Sequence, residues 1–172
     1  RHLAHHDPLT GLPNRILLRD RLGVALAQAR RQALLTCLLL VDLDRFKAIN
    51  DQHGHDAGDA VLVEVGRRIA LCVREGDTVA RLGGDEFVVV LSGLRARDHC
   101  AVIAQKLIDA LAAPIAHGGQ ALSVGASIGI AVFPDDATDA DRLMKCADAA
   151  MYRIKVRGGN GFCYFTTDEP VG

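Results

Sequence analysis

The chain has 172 residues, enough for one domain with a single sizeable core. Apolar residues make up 49% and charged residues 24%, an ordinary globular balance, and the net charge is −1. That near-neutral charge argues against a DNA- or RNA-binding module, whereas a nucleotide pocket needs only a few local charges. The five cysteines (Cys37, Cys72, Cys100, Cys146 and Cys163) are spread without C-x-x-C spacing, and their number is odd. They are expected to be buried, reduced thiols of a cytosolic protein, with no zinc site. The longest apolar run, Leu34 to Val41 broken only by Thr36, is too short to span a bilayer, and no basic-then-apolar leader opens the chain. The expected location is the cytoplasm, with no direct membrane contact from this domain; a larger parent protein could still be membrane-anchored.

In chain order, Asp7 to Asn14 reads as an irregular lead-in, because two prolines and a glycine oppose a helix there. Asn14 can cap the next segment, whose apolar residues recur at helical spacing from Ile16 through about Arg31. Leu34 to Asp42 is a nearly continuous apolar run, expected to be a buried central strand. Arg45 to Asp51 is expected to be a short helix, His53 to Gly58 a loop, and about Asp59 to Val73 a second helix. Thr78 to Leu82 and Phe87 to Leu91 flank Gly83-Gly84-Asp85-Glu86, the pattern of a β-hairpin whose glycines supply positive φ. Ala101 to Ala112 is amphipathic and helical, and Pro114 stops it. Leu122 to Phe133 is strand-like, with glycines that point to a bulge. Asp139 to Arg157 is a long helix ended by Gly158-Gly159, and Phe162 to Phe165 is a last short strand. This order predicts an α+β fold with a central, mostly antiparallel β-sheet wrapped by helices. With no repeat and no low-complexity linker, residues 1–172 are expected to form one domain, excised from a larger multidomain protein.

The hairpin sets Asp85 and Glu86 at the tip of two hydrophobic strands, and the central strand ends in Asp42-Leu43-Asp44. Strand alternation puts both aspartates on one side and Leu43 on the other. If the hairpin lies beside this strand, Asp42 and Asp85 can share a divalent ion. Magnesium takes oxygen ligands, keeps several waters and needs only one or two carboxylates plus substrate phosphates, which points to phosphoryl or nucleotidyl transfer. Each piece also has a plain reading, as a solvated strand end or a simple turn.

Four ordered blocks narrow the choice: Asp7-Pro8-Leu9-Thr10-Gly11-Leu12-Pro13-Asn14-Arg15, the run from Asp42 to Asp51 followed by Gly54 to Asp59, Arg81-Leu82-Gly83-Gly84-Asp85-Glu86-Phe87, and Ala150-Met151-Tyr152-Arg153-Ile154-Lys155. In these blocks the chain resembles the GGDEF family of diguanylate cyclases over nearly its whole length. The resemblance implies a fold like the polymerase palm and the nucleotidyl cyclases, with a ferredoxin-like core. It implies that two GTP molecules are joined into cyclic di-GMP with release of pyrophosphate, with magnesium or manganese as cofactor. Asp42, the Leu43 carbonyl and Asp85 are the implied metal ligands, with Asp85 and Glu86 as the catalytic acids. Gly83 and Gly84 let the nucleotide approach the backbone, amides near Phe46 and Lys47 bind phosphate, Asn50 and Asp59 read guanine, and Lys155 faces the triphosphate tail.

The same resemblance implies an inhibitory product site at Arg74 and Asp77, five residues before Gly83, with Lys106 as a further basic contact; the plain alternative is a surface ion pair of small worth. It implies a homodimer, since each GTP must attack the other. His5, His6, His53 and His55 are read as lead-in or turn residues, not ligands. One position departs from the family pattern: Gly159 stands where a triphosphate-binding arginine is expected. That departure keeps a second reading open, a non-catalytic domain that senses GTP or cyclic di-GMP and regulates an attached effector such as a phosphodiesterase.

Overall fold

The structure, a computed structural model, describes residues 2–167. Its centre is β1 (Leu35–Asp44), flanked by β3 (Glu86–Leu94) on one side and β6 (Gly125–Phe133) on the other, both antiparallel to it. β2 (Thr78–Gly83) extends the sheet beyond β3, and β7 (Gly161–Tyr164) pairs parallel with β6, giving the order β2-β3-β1-β6-β7. The sheet is thus mostly antiparallel and mixed with helices, the α+β architecture expected.

The sheet is covered on both faces, and strand alternation decides what each face receives. Leu39, Val41 and Leu43 of β1 pack with Val61, Val65 and Ile69 of α4 (His55–Leu71) and with Leu107 and Leu111 of α5 (Asp98–Ala112). Leu38 and Leu40 point the other way, into a second core with Leu22 and Leu26 of α2 (Arg15–Gln32) and Leu143 and Ala147 of α6 (Ala140–Val156). Burying each such side chain contributes about 1.5–3 kcal/mol, so the two cores hold β1 firmly. The same alternation turns Asp42 and Asp44 toward α6 and Leu43 toward α4. The helix starts follow the sequence: Asn14 accepts from the Leu17 amide at 3.1 Å to cap α2, and Asp139 accepts from the Arg142 amide at 2.8 Å to cap α6.

Several boundaries differ from the sequence reading. α4 begins at His55 and not near Asp59, so the loop shrinks to Gly54 (φ 90) between α3 (Phe46–His53) and α4. β6 carries no bulge against β1, since their register runs unbroken from Thr36↔Phe133 to Asp44↔Gly125. Its Gly129 serves a close approach instead: a Cβ there would lie 2.0 Å from the Ala147 carbonyl oxygen and 2.3 Å from the Met151 nitrogen of α6. The hairpin itself is irregular, with a register shift between Arg81 and Gly83. A separate two-stranded hairpin, β4 (Ile115–His117) and β5 (Gln120–Leu122), turns on Gly118 and Gly119, both at positive φ. A short α1 (His2–His5) precedes the irregular lead-in. Cys37, Cys72, Cys100 and Cys146 are buried, Cys163 is half-buried, and all five are reduced thiols. Among the described residues no helix is long and apolar enough to cross a membrane.

Candidate active site

The acids meet where the hairpin tip joins the end of β1. Asp42 is the cross-strand partner of Glu86, and the Leu43 N–H donates to the Asp85 carbonyl at 3.2 Å. Gly83 (φ 140) and Gly84 (φ 51) make the exposed turn in conformations that L side chains rarely adopt. Asp42 is mostly buried; burial and then the negative charge of Asp85 push its carboxyl up to about 6, against the pull of Lys155. Burial, Asp148 and Asp85 likewise raise Glu86. Acids that resist ionising beside one another form a place short of positive charge.

Lys155, reaching over from α6, supplies part of that charge. Its Nζ lies 2.8 Å from Asp44 Oδ1, 3.3 Å from Asp42 Oδ1 and 3.3 Å from the Leu43 carbonyl oxygen. Burial lowers the Lys155 pKa, but the two aspartates more than offset this and raise it. The ammonium therefore rests on Asp42 and Leu43, two of the three groups expected to hold a metal. Among the described residues no three His, Cys, Asp or Glu side chains close into a metal-binding group. A magnesium-like ion does not need one: Asp42, the Leu43 carbonyl and Asp85 are hard oxygen donors, and the charge deficit among the acids suits them to a divalent cation completed by water and phosphate.

Asp44, which the sequence reading left without a role of its own, organises this corner. It is buried and accepts from Ser127 Oγ at 2.7 Å and the Asn160 amide at 2.7 Å, as well as from Lys155. Burial would raise its pKa, but these bonds and the ammonium hold it below the ordinary value. Gly159 presses on it from the loop after α6: with φ +81, a Cβ at 159 would sit 2.7 Å from Asp44 Oδ2. The missing arginine is therefore not a side chain trimmed from an unchanged backbone. An arginine here would have to displace Asp44.

The residues expected to contact a nucleotide lie around the next corner. α3 starts after Arg45 (φ 63) with no side-chain cap, which leaves its first amides, near Phe46 and Lys47, available to an anion. Lys47 is exposed. Asn50 is half-buried against Gly58, and Asp59 is exposed near the start of α4. Asp59 also borders a cleft of about 630 Å³ shared with Val63, Arg68 and Pro114, which lies apart from Asp42, Asp85 and Lys155. Sequence reasoning sets Asp42 beside Asp85, and the structure places the end of β1 against the Asp85–Glu86 turn. The contact of Lys155 with Asp42 and Asp44 was not foreseen, and Asn50 and Asp59 lie on separate helices joined at Gly54.

At the far end of the hairpin, Arg74 Nη2 pairs with Asp77 Oδ1 at 3.2 Å and donates to the Ser92 carbonyl at 2.7 Å. The Asp77 side chain is 2% exposed and accepts from the Arg74 and Ser92 amides, so it closes the β2–β3 base, whereas Arg74 is open to solvent. A cleft of about 360 Å³ beside them is lined by Arg21, Gln28 and Gly76. Lys106 is exposed on α5, and its charge reaches Cys72, two residues before Arg74.

Sequence reasoning missed a second brace on the acidic turn. Arg81 donates to the Gly84 carbonyl from Nε at 3.0 Å and Nη2 at 2.7 Å, while its Nη1 pairs with Asp7 Oδ1 at 2.8 Å. The other Asp7 oxygen accepts from the Thr10 amide at 2.8 Å and the Thr10 hydroxyl at 2.7 Å. Burial raises the Asp7 pKa, but Thr10 and Arg81 together bring it below the ordinary value. The Asp-x-x-Thr spacing was a legible turn signal; its pairing with Arg81 was not.

A palm-like sheet with an acid-tipped hairpin beside an acid-ended central strand defines a nucleotidyl-cyclase class of fold, and comparison with known proteins agrees. The family described as "Diguanylate cyclase, GGDEF domain" matches residues 4–161. The bifunctional diguanylate cyclase/cyclic di-GMP phosphodiesterase MucR of Pseudomonas aeruginosa is 48% identical over 163 residues, 95% of this chain and 24% of that protein. Diguanylate cyclase TpbB of the same species is 46% identical over 155 residues, 90% of this chain and 36% of that protein. The crystal structure of the TpbB GGDEF domain superposes with a TM-score of 0.90 at 41% identity, covering 92% of this chain and 99% of that one. The GGDEF domain of DgcB from Caulobacter crescentus, solved in complex with c-di-GMP, gives 0.86 at 30% identity, covering 95% and 97%. This chain belongs to the GGDEF domain family. It spans about a quarter to a third of the length of these curated relatives.

Proposed function

We propose that this chain is a diguanylate cyclase that condenses two GTP molecules into cyclic di-GMP, acting as a homodimer in the cytoplasm. The observation that carries the reading is the convergence of Asp42, Asp85 and Glu86 on one charge-deficient corner with Lys155 already drawn into it. Each domain holds one GTP. The α3 amides near Phe46 and Lys47 bind its phosphates, Asn50 and Asp59 read its guanine, and Lys155 swings from Asp44 to the triphosphate tail. Gly83 and Gly84 keep side chains out of the nucleotide's path. Asp42, the Leu43 carbonyl and Asp85 would hold magnesium or manganese, which supplies charge stabilisation at the attacking and leaving oxygens.

Two domains meet antiparallel, so that the 3′-hydroxyl of each GTP faces the α-phosphorus of the other. The hydroxyl oxygen forms a bond to that phosphorus, the bond to the bridging oxygen breaks, and pyrophosphate leaves with the electron pair. The Asp85 carboxylate takes the hydroxyl proton, with Glu86 adjoining. The step occurs twice, once in each direction. Positioning and electrostatics carry the catalysis. Cyclic di-GMP in turn binds at Arg74, with Asp77 and Lys106, and slows the enzyme; the DgcB complex supports product binding by a domain of this fold.

Gly159 favours one alternative, a sensor that binds GTP or cyclic di-GMP without turnover. Both readings are tested by incubating concentrated or artificially dimerised protein with GTP and magnesium and separating the products. Cyclic di-GMP from wild type but not from Asp85→Ala is the expected result. GTP binding without product at any protein concentration would leave only the sensor. Arg74→Ala should weaken cyclic di-GMP binding at least tenfold while sparing GTP binding; unchanged affinity would remove the product site.

A further inference from the structure

We propose that Gly58 is a positioning residue for base recognition: its absent side chain is the seat on which the Asn50 carboxamide rests. The proposal builds on the assignment of Asn50 as a guanine contact.

Gly58 lies inside α4, is buried, and does not have the positive φ that would call for glycine. Glycine is a poor helix former, so this position needs another reason. The reason is spatial. A Cβ at 58 would lie 1.9 Å from Asn50 Oδ1, 3.0 Å from Asn50 Cγ and 3.3 Å from Phe46 Cζ. Gly66, further along the same helix, would meet its nearest neighbour, Leu12, at 3.1 Å. The sharp collision is thus specific to the polar head of Asn50. Because α3 and α4 are joined by Gly54 alone, the corner folds Asn50 flat against the backbone of α4, one residue from Asp59. A methyl at 58 would push the carboxamide back by about 1 Å even to reach the tightest contact that real Cβ atoms make.

The group that must yield is the end of a flexible side chain, not backbone, so the fold can absorb the change while base recognition cannot. Misplacement of a recognition group by about 1 Å can cost up to 10²-fold. Asp59, on the other side of Gly58, keeps its place. Gly58→Ala therefore removes one of two base contacts and should spare the acids and Lys155.

The test is a double-mutant cycle in the full chain. It is read by calorimetric binding of the α,β-methylene analogue of GTP with magnesium, by preference for that analogue over its adenosine counterpart, and by thermal unfolding. Gly58→Ala should bind the guanosine analogue at least tenfold more weakly and lose part of the base preference. Asn50→Ala should do the same. The double variant should bind no more weakly than Asn50→Ala, and should melt about 2–4 °C above it, because alanine is the better helix residue once the carboxamide is gone. If Gly58→Ala fails to fold while the double variant folds, the seat is shown directly; failure of both would overturn it. Wild-type binding by Gly58→Ala, or losses that multiply in the double variant, would also overturn it. If Asn50→Ala keeps wild-type affinity and preference, the guanine reading of Asn50 falls and the recognition role of Gly58 falls with it, whereas coupling in the melting temperatures would still report the contact.

Discussion

Asp42 and Asp44 stand two residues apart on one strand and face the same side, yet their carboxyl groups are driven in opposite directions. Asp44 is met by a hydroxyl, an amide and an ammonium, and is held below its ordinary value. Asp42 is desolvated by burial and faces other acids, and is pushed up to about 6 from 3.8. The Asp-x-Asp pair and its shared face were legible from alternation, but this division of labour was not, because Ser127 and Asn160 are distant in sequence and meet Asp44 only after β6 and the loop after α6 have docked. The division has a pH signature. A folded-state pKa above the unfolded one means that folding takes up protons between about pH 4 and 6, so the contribution of Asp42 to stability is full below that window, falls across it and is flat above it. Asp42→Asn removes the fall. Relative to wild type, the metal-free variant should gain on the order of 2 kcal/mol between pH 4 and pH 7, read from urea unfolding at each pH. An equal difference at both pH values would mean that Asp42 ionises normally. Divalent-metal affinity of the wild type should rise with pH and level off above about 6, as Asp42 loses its proton.

At the scale of elements, the central strand, the acidic hairpin and the capped helices α2 and α6 could be read directly, because apolar runs, a Gly-Gly turn and Asn or Asp caps are local signals. The misreadings concern glycines used for contact. Gly58 suggested a loop and so delayed the predicted start of α4, although tertiary contact with Asn50 holds it within the helix. Gly129 suggested a bulge, although it lies in a straight strand where α6 crosses almost in backbone contact. A sequence shows that a side chain is missing, not what occupies its space. Gly118-Gly119 was the opposite case, a local hairpin signal passed over. Gly129→Ala tests the contact reading. The atoms in the way belong to the α6 backbone, so the helix must lift, at about 3 kcal/mol, the upper end of the overpacking range. Because α6 carries Lys155, GTP affinity should fall together with stability, measured by denaturant titration and calorimetry on the same samples. A stable variant with normal affinity would show that α6 is free to move away from the sheet.

Across the whole molecule, the lead-in is tied to the acidic turn through one side chain. Asp7 is fixed by Thr10, Arg81 bridges Asp7 to the Gly84 carbonyl, and the Arg81 amide donates to the Pro13 carbonyl at 3.0 Å. The Arg81 and Asp7 side chains are each only 13% exposed, so this pair is far less screened than a surface ion pair. The partners lie 74 residues apart, which is why the block from Asp7 to Arg15 was recognisable by resemblance while its physical task was not. That task is to hold the Gly83–Glu86 turn in one shape, since the turn's glycines permit many. Arg81→Ala should therefore act on the turn before it acts on the core. It leaves the Asp7 carboxylate half-buried without its cation, which should cost about 1–3 kcal/mol. More specifically, it should speed hydrogen exchange at Gly84, Asp85 and Glu86 at least tenfold, while amides of α5 on the far side of the sheet exchange as before. Metal affinity should drop because Asp85 no longer has a fixed carrier, whereas Asp42, held by β1, keeps its raised pKa. Uniform acceleration across the sheet would mean that the bridge only adds global stability. Unchanged exchange at the turn would mean that the two glycines and the Leu43 amide bond suffice to set its shape.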